Sequence, residues 1–89
     1  MARTLTADDT DLAALDGLGE ALGRLGLPTM IFASGAARRL EVFADQPGSV
    51  VCERDATGEL WYWWSWADRI APAAELDRAA EAVAGLLRR

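Results

Sequence analysis

The stretch Leu60 to Trp66 reads Leu-Trp-Tyr-Trp-Trp-Ser-Trp and holds all four tryptophans and the only tyrosine of an 89-residue chain. Successive side chains of a strand point to opposite faces, so Leu60, Tyr62, Trp64 and Trp66 share one face and Trp61, Trp63 and Ser65 the other. Both faces are apolar. Aromatics of this size favour strands and bury on the order of 150–250 Å² each, so the stretch predicts a central strand with material packed against both sides. One side calls for a layer of helices. The other calls for a partner, a ligand or loops.

Upstream, Thr6 followed by Asp8, Asp9 and Asp11 has the pattern of a helix N-cap with carboxylates at the positive end of the dipole. Met1 to Leu5 are then a tail, and residues 6–89 form a single domain. Leu12, Leu15, Leu18, Leu22 and Leu25 recur at steps of three or four, the buried stripe of an amphipathic helix, which Gly26 and Pro28 end. Gly17, Gly19 and Gly23 inside it each cost about 1 kcal/mol relative to alanine. Gly19 and Gly23 lie one turn apart and offer a bare surface on which the helix can approach the sheet closely.

Thr29 to Ser34, Arg38 to Ala44 and Ser49 to Asp55 read as strands, with a turn opening at Ser34-Gly35. In Asp45-Gln46-Pro47-Gly48 the proline and glycine suit the centre of a type II turn, and Ala56-Thr57-Gly58 supplies a short hairpin loop into the tryptophan strand. Connections this short force antiparallel neighbours. Asp68 to Ala71 reads as a turn and Pro72 as the first position of a second helix, striped by Leu76, Ala80, Val83 and Leu87, with Arg88 and Arg89 at its negative end. The predicted fold is a two-layer α+β sandwich in the order α-β-β-β-β-α, a four-stranded antiparallel meander with both helices on one face.

At 52% hydrophobic and 26% charged residues, the chain has the composition of a folded domain. It has no apolar run long enough to span a membrane and no basic-then-apolar leader after Met1, so a cytoplasmic protein away from membranes is expected. Histidine is absent, which removes the commonest general base and the commonest metal ligand. The single cysteine, Cys52, excludes an intrachain disulfide and a zinc cluster and reads as a small hydrophobe. No phosphate loop, dinucleotide fingerprint or nucleophile elbow occurs, so no catalytic residue, metal or cofactor is expected. The net charge of −5 disfavours binding to phosphate backbones. The element order resembles that of double-stranded-RNA-binding domains with one strand added, but those domains use basic residues at phosphate contacts, whereas the first helix here opens on aspartates. The absence of lysine and asparagine beside abundant alanine and glycine reads as the bias of a GC-rich genome, so a bacterial source is expected.

The loops suggest a register. A turn at Pro47-Gly48 sets Ala44 opposite Ser49, Glu41 opposite Cys52 and Arg39 opposite Arg54. A three-residue loop closed by Gly58 sets Asp55 opposite Glu59, Cys52 opposite Tyr62 and Val50 opposite Trp64. One face then gathers Arg39, Glu41, Phe43, Val50, Cys52, Arg54, Leu60, Tyr62, Trp64 and Trp66, and the other Leu40, Val42, Ala44, Val51, Glu53, Trp61 and Trp63. The second face, with fewer charges, goes to the helices, and Glu41 and Glu53, on opposite faces in this register, do not form an acid and base pair. The first has the aromatic and arginine content of interface cores. Uncovered, it is a patch larger than monomers normally expose, and a second copy covers it most simply.

The expectation is therefore a non-catalytic protein-interaction module, homodimeric through Arg39, Glu41, Phe43, Arg54, Tyr62, Trp64 and Trp66, with Trp64 central. The alternative is a small-molecule binding domain. In it Tyr62, Trp64 and Trp66 stack on a flat aromatic or cationic ligand, and Arg39, Arg54 or Glu41 fixes its polar group.

Overall fold

The structure is a computed structural model and describes residues 10–34 and 37–87. Helix α1 (Thr10–Arg24) leads into strands β1 (Thr29–Ser34), β2 (Ala37–Val42), β3 (Gly48–Arg54), β4 (Leu60–Trp64) and β5 (Arg69–Pro72), and helix α2 (Leu76–Leu87) closes the order. The strands form one antiparallel meander in the order β1-β2-β3-β4-β5. The α+β class and the helix, strands, helix order are as expected. The expected tail 1–5, the N-cap at Thr6, the turn at Gly35 and the arginines 88 and 89 lie outside the described residues.

Helix α1 ends where glycine permits it. Gly26 adopts φ +87°, the Leu27 N–H donates to the Leu22 carbonyl at 2.9 Å and the Gly26 N–H to the Gly23 carbonyl at 3.0 Å. These are the two bonds of a Schellman cap, and the accompanying apolar contact is present as well, since Leu22 and Leu27 are both buried.

The sheet has one strand more than expected. Arg69–Pro72 is not a turn leading into a helix but a fifth strand paired with β4. Trp64 and Ala67 close a tight turn, with the Ala67 N–H donating to the Trp64 carbonyl at 2.9 Å and Ala67 at φ +77°. That turn reverses the chain two residues before the aromatic run ends. Pro72 sits at the end of an edge strand, where its missing N–H removes no necessary ladder bond, and α2 begins at Leu76.

Register decides the rest. The β3–β4 ladder is as expected, with Val50 opposite Trp64 and Cys52 opposite Tyr62. Asp55 organises its loop by accepting from the Thr57 N–H at 2.9 Å, the Thr57 hydroxyl at 2.6 Å and the Glu59 N–H at 3.1 Å. The β2–β3 ladder is not as expected. Glu41, and not Ala44, opposes Ser49, and Leu40 opposes Val50. An odd-numbered slip moves all of β2 to the opposite face relative to β3. Its cause is Gly48, which belongs to β3 and not to a turn, because its bare backbone receives the Trp64 ring.

The helix-covered face consequently carries Leu40, Val42, Val50, Tyr62, Trp64 and Ala71, packed with Leu15, Leu18, Leu22, Val83 and Leu87 of the helices. Tyr62 and Trp64 are thus core residues, contrary to their expected place on the open face. Tyr62 also ties the layers together, its hydroxyl donating to the Ala14 carbonyl of α1 at 2.7 Å. Gly19 permits the close approach of α1, since a Cβ there would meet the Thr29 Oγ1 at 2.9 Å. Gly23 has no such role, with nothing within 4 Å of a Cβ there.

Candidate functional site

The face away from the helices is built from the other side-chain parity of each strand. Across it the paired positions form a continuous row. Phe32 opposes Arg39, the β2–β3 register carries the row on to Val51, Val51 opposes Trp63, and Trp63 opposes Arg69. Met30 and Glu41 flank the row on one side, Glu53 and Trp61 on the other, so the β2–β3 slip puts Glu41 and Glu53, expected on opposite faces, on the same one. Met30 is 53% exposed and Phe32 41%, while Trp61 and Trp63 are half-buried against their neighbours.

Both arginines of this face lie on aromatic rings. The Arg39 guanidinium sits 5.1 Å from the Phe32 ring centre, and the Arg69 guanidinium sits 4.7 Å from Trp61 and 5.5 Å from Trp63. The negative faces of the rings attract the cations and hold two long side chains flat against the sheet. Arg39 also donates to Glu41 at 2.6 Å. The Ser49 hydroxyl donates to the same Glu41 carboxylate, and these two bonds, Ser49 first, hold the Glu41 carboxyl below the ordinary carboxylate range. Among the described residues Arg69 has no acidic partner, so its N–H donors remain available. Trp63 Nε1 donates to the Glu53 carbonyl at 3.2 Å. Among the described residues the Trp61 Nε1–H, closed off from water, has no acceptor in bonding geometry.

Of the residues expected to form the site, Arg39 and Glu41 do stand together on the open face. Phe43 is exposed just beyond the end of β2, its N–H bonded to the Pro28 carbonyl. Arg54 is at the β3–β4 hairpin, donating to the Gly58 carbonyl at 2.8 Å. Trp66 is 52% exposed, in the turn after β4, with its ring stacked on Trp64 at 4.9 Å and its Nε1 bonded to Asp68 at 2.9 Å. Tyr62 and Trp64 are enclosed in the core. Phe32, Met30, Val51, Trp61, Trp63 and Arg69 complete the face and were not anticipated. One signal for the tryptophans was present in β3, where Glu53 shares its side with Trp61 and Trp63 and marks that side as the wet one.

The chemistry of the face is that of contact. A hollow of about 170 Å³ beside Val51, Glu53 and Trp63 is smaller than the roughly 300 Å³ at which ligand pockets begin. Cys52 lies on the helix side with its thiol pushed up to about 12 by burial, and next by the Asp11 charge, so it is a protonated thiol at neutral pH and not a nucleophile. Among the described residues no cluster of three or more Cys, Asp or Glu side chains is placed to hold a metal ion, and no helix is long and apolar enough to cross a membrane. Comparison with protein-family models, with characterised proteins and with solved structures finds no match for this chain.

Proposed function

We propose that the chain is a non-catalytic protein-interaction module that self-associates through the open face of its sheet. The observation carrying this reading is the uncovered row Phe32, Arg39, Val51, Trp63 and Arg69 with Trp61 and Met30 beside it. It combines the aromatic, methionine and arginine side chains enriched in interface cores. Charge supports a second copy as the occupant. The chain carries −5, yet on this face Arg39 and Arg69 balance Glu41 and Glu53, so two copies can meet here without like-charge repulsion. A two-fold axis would also give each Arg69 guanidinium, which has no acidic partner among the described residues, access to carboxylates of the other copy.

Light scattering on a size-exclusion column at tens of micromolar protein tests the proposal. A mass of twice 9.6 kDa that reverts to one chain in Trp63→Ala and in Arg69→Glu supports it. A mass of one chain for the wild type, or a dimer unaffected by both substitutions, overturns it. The small volume of the hollow beside Val51, Glu53 and Trp63, about 170 Å³, weighs against the small-molecule alternative.

A further inference from the structure

The two edges of the sheet are protected very differently. Exposed edges invite pairing with other chains, and proteins blunt them with charges, proline, bulges or short length. The β5 edge is short, contains Arg69 and Pro72, and follows a register irregularity at Tyr62/Trp63. The β1 edge, Thr-Met-Ile-Phe-Ala-Ser, contains no charge and no proline, and it pairs with β2 without interruption. Among the described residues no strand covers its outer side.

The phase of its hydrogen bonds follows from one contact. The Phe43 N–H donates to the Pro28 carbonyl at 2.9 Å, and bonded pairs alternate along an antiparallel ladder. Met30, Phe32 and Ser34 therefore bond to β2, while Thr29, Ile31 and Ala33 direct their N–H and C=O groups outward. Beside that edge, between β1 and α1, run two adjoining hollows of about 370 and 400 Å³ that share Asp16 and Ile31. Leu12, Ala13 and Ile31 provide an apolar floor, and Asp16 and Glu20 an acidic wall. The two acids are one turn apart on α1, where like charges oppose helix formation, and among the described residues neither has an ion-pair or hydrogen-bond partner.

We infer that the β1 edge is a docking site for an extended, basic segment of another protein, which adds as a sixth strand beside β1. Its main chain bonds to the outward groups of Thr29, Ile31 and Ala33, the usual source of affinity in strand addition. Arg or Lys side chains at alternate positions reach Asp16 and Glu20. Charge decides against a second copy here, because a two-fold β1–β1 pairing brings Asp16 and Glu20 of one chain toward those of the other. This site meets the open face at Met30, but its test uses other residues than Trp63 and Arg69, so either proposal can fail without the other.

The experiment uses a synthetic ten-residue peptide of alternating arginine and valine, with an alternating glutamate and valine peptide as control, and reads amide hydrogen exchange at Thr29, Ile31 and Ala33. The arginine peptide should slow exchange at these amides at least tenfold, and the glutamate peptide should leave them unchanged. The double variant Asp16→Asn, Glu20→Gln, which keeps the helix surface intact, should weaken binding at least tenfold. Ala33→Pro removes an outward N–H and no ladder bond to β2, which an edge strand tolerates, and should block binding in a folded chain. Equal protection by both peptides, or none by the arginine peptide, overturns the inference. So does strong protection of the amides without peptide, whether constant with concentration, as for coverage by the chain itself, or rising with it, as for self-pairing.

Discussion

Gly48 lies beneath the indole of Trp64, so close that a Cβ on the glycine would come within 2.8 Å of the Trp64 Cζ3 and 3.2 Å of a Leu87 methyl. The contact sets the start of β3, the side on which Trp64 is buried and the seat of the last turn of α2. Gly48→Ala should therefore destabilise the fold by about 1–3 kcal/mol, the usual cost of overfilling a packed core. Urea unfolding followed by tryptophan fluorescence measures it, and a variant as stable as the parent would show that the ring does not rest on this glycine.

The adjacent tryptophans should separate folding from association. Trp64 is 6% exposed, and Trp64→Ala leaves a cavity that costs about 3–5 kcal/mol, enough to unfold most of a small domain. Trp63 is on the open side, and Trp63→Ala should lose about 1 kcal/mol or less of monomer stability, judged from the modest values of cross-strand pairs. Circular dichroism melts of both variants decide this. Comparable destabilisation would mean that the chain itself buries both sides of β4.

Two glycines of α1 should respond in opposite ways. Gly23 has open space around it, so Gly23→Ala should stabilise by about 0.5–1 kcal/mol through helix propensity alone, or several degrees in Tm for a domain of this size. At Gly19 a side chain meets Thr29 and Leu40, with the first contact at 2.9 Å. Gly19→Val should lift α1 off the sheet and cost about 1–3 kcal/mol. Thermal melts of the pair give the comparison directly.

Alkaline pH should weaken the fold. Burial pushes both the Cys52 thiol, ordinarily 9.0, and the Tyr62 phenol, ordinarily 10.0, up to about 12. Each group binds its proton more tightly folded than unfolded, so this contribution is complete below about pH 9 and is lost as the pH climbs from there toward 12. Stability measured by denaturant at pH 8, 9.5 and 11 should fall monotonically. A thiol reagent at pH 8 should modify the half-buried, protonated Cys52 more slowly than it modifies the unfolded chain, and equal rates in the two states would contradict the burial argument.

Removing the Tyr62 hydroxyl isolates the tie between the layers. Tyr62→Phe deletes the bond to the Ala14 carbonyl, 2.7 Å long, and should cost about 0.5–1.5 kcal/mol while preserving the ring's packing. Exchange of the α1 amides around Ala14 should quicken more than that of the β3 amides, since the helix loses its link to β4.

The sequence by itself determined the local order of this protein. Leucines at helical spacing and a glycine able to reach positive φ define α1 and its cap, and the Asp55 to Glu59 loop defines the β3–β4 ladder, because these signals act between residues close in the chain. Tertiary structure alone decided which side of the sheet is covered. Glycine after proline in Pro47-Gly48 has the composition of a turn, and only the arrival of the Trp64 ring from β4 shows that Gly48 is a strand residue lying under an indole. That one contact shifts β2 by an odd number of positions, sends Tyr62 and Trp64 into the core and leaves Trp61 and Trp63 outside. The fifth strand was hidden for the same kind of reason. Arg69 to Pro72 has weak strand propensity of its own, and its pairing comes from β4 beside it and α2 beyond it. An arginine laid across two tryptophans is likewise invisible in a sequence where Trp61 and Trp63 belong to β4 and Arg69 to β5, and only their pairing brings the guanidinium over the rings.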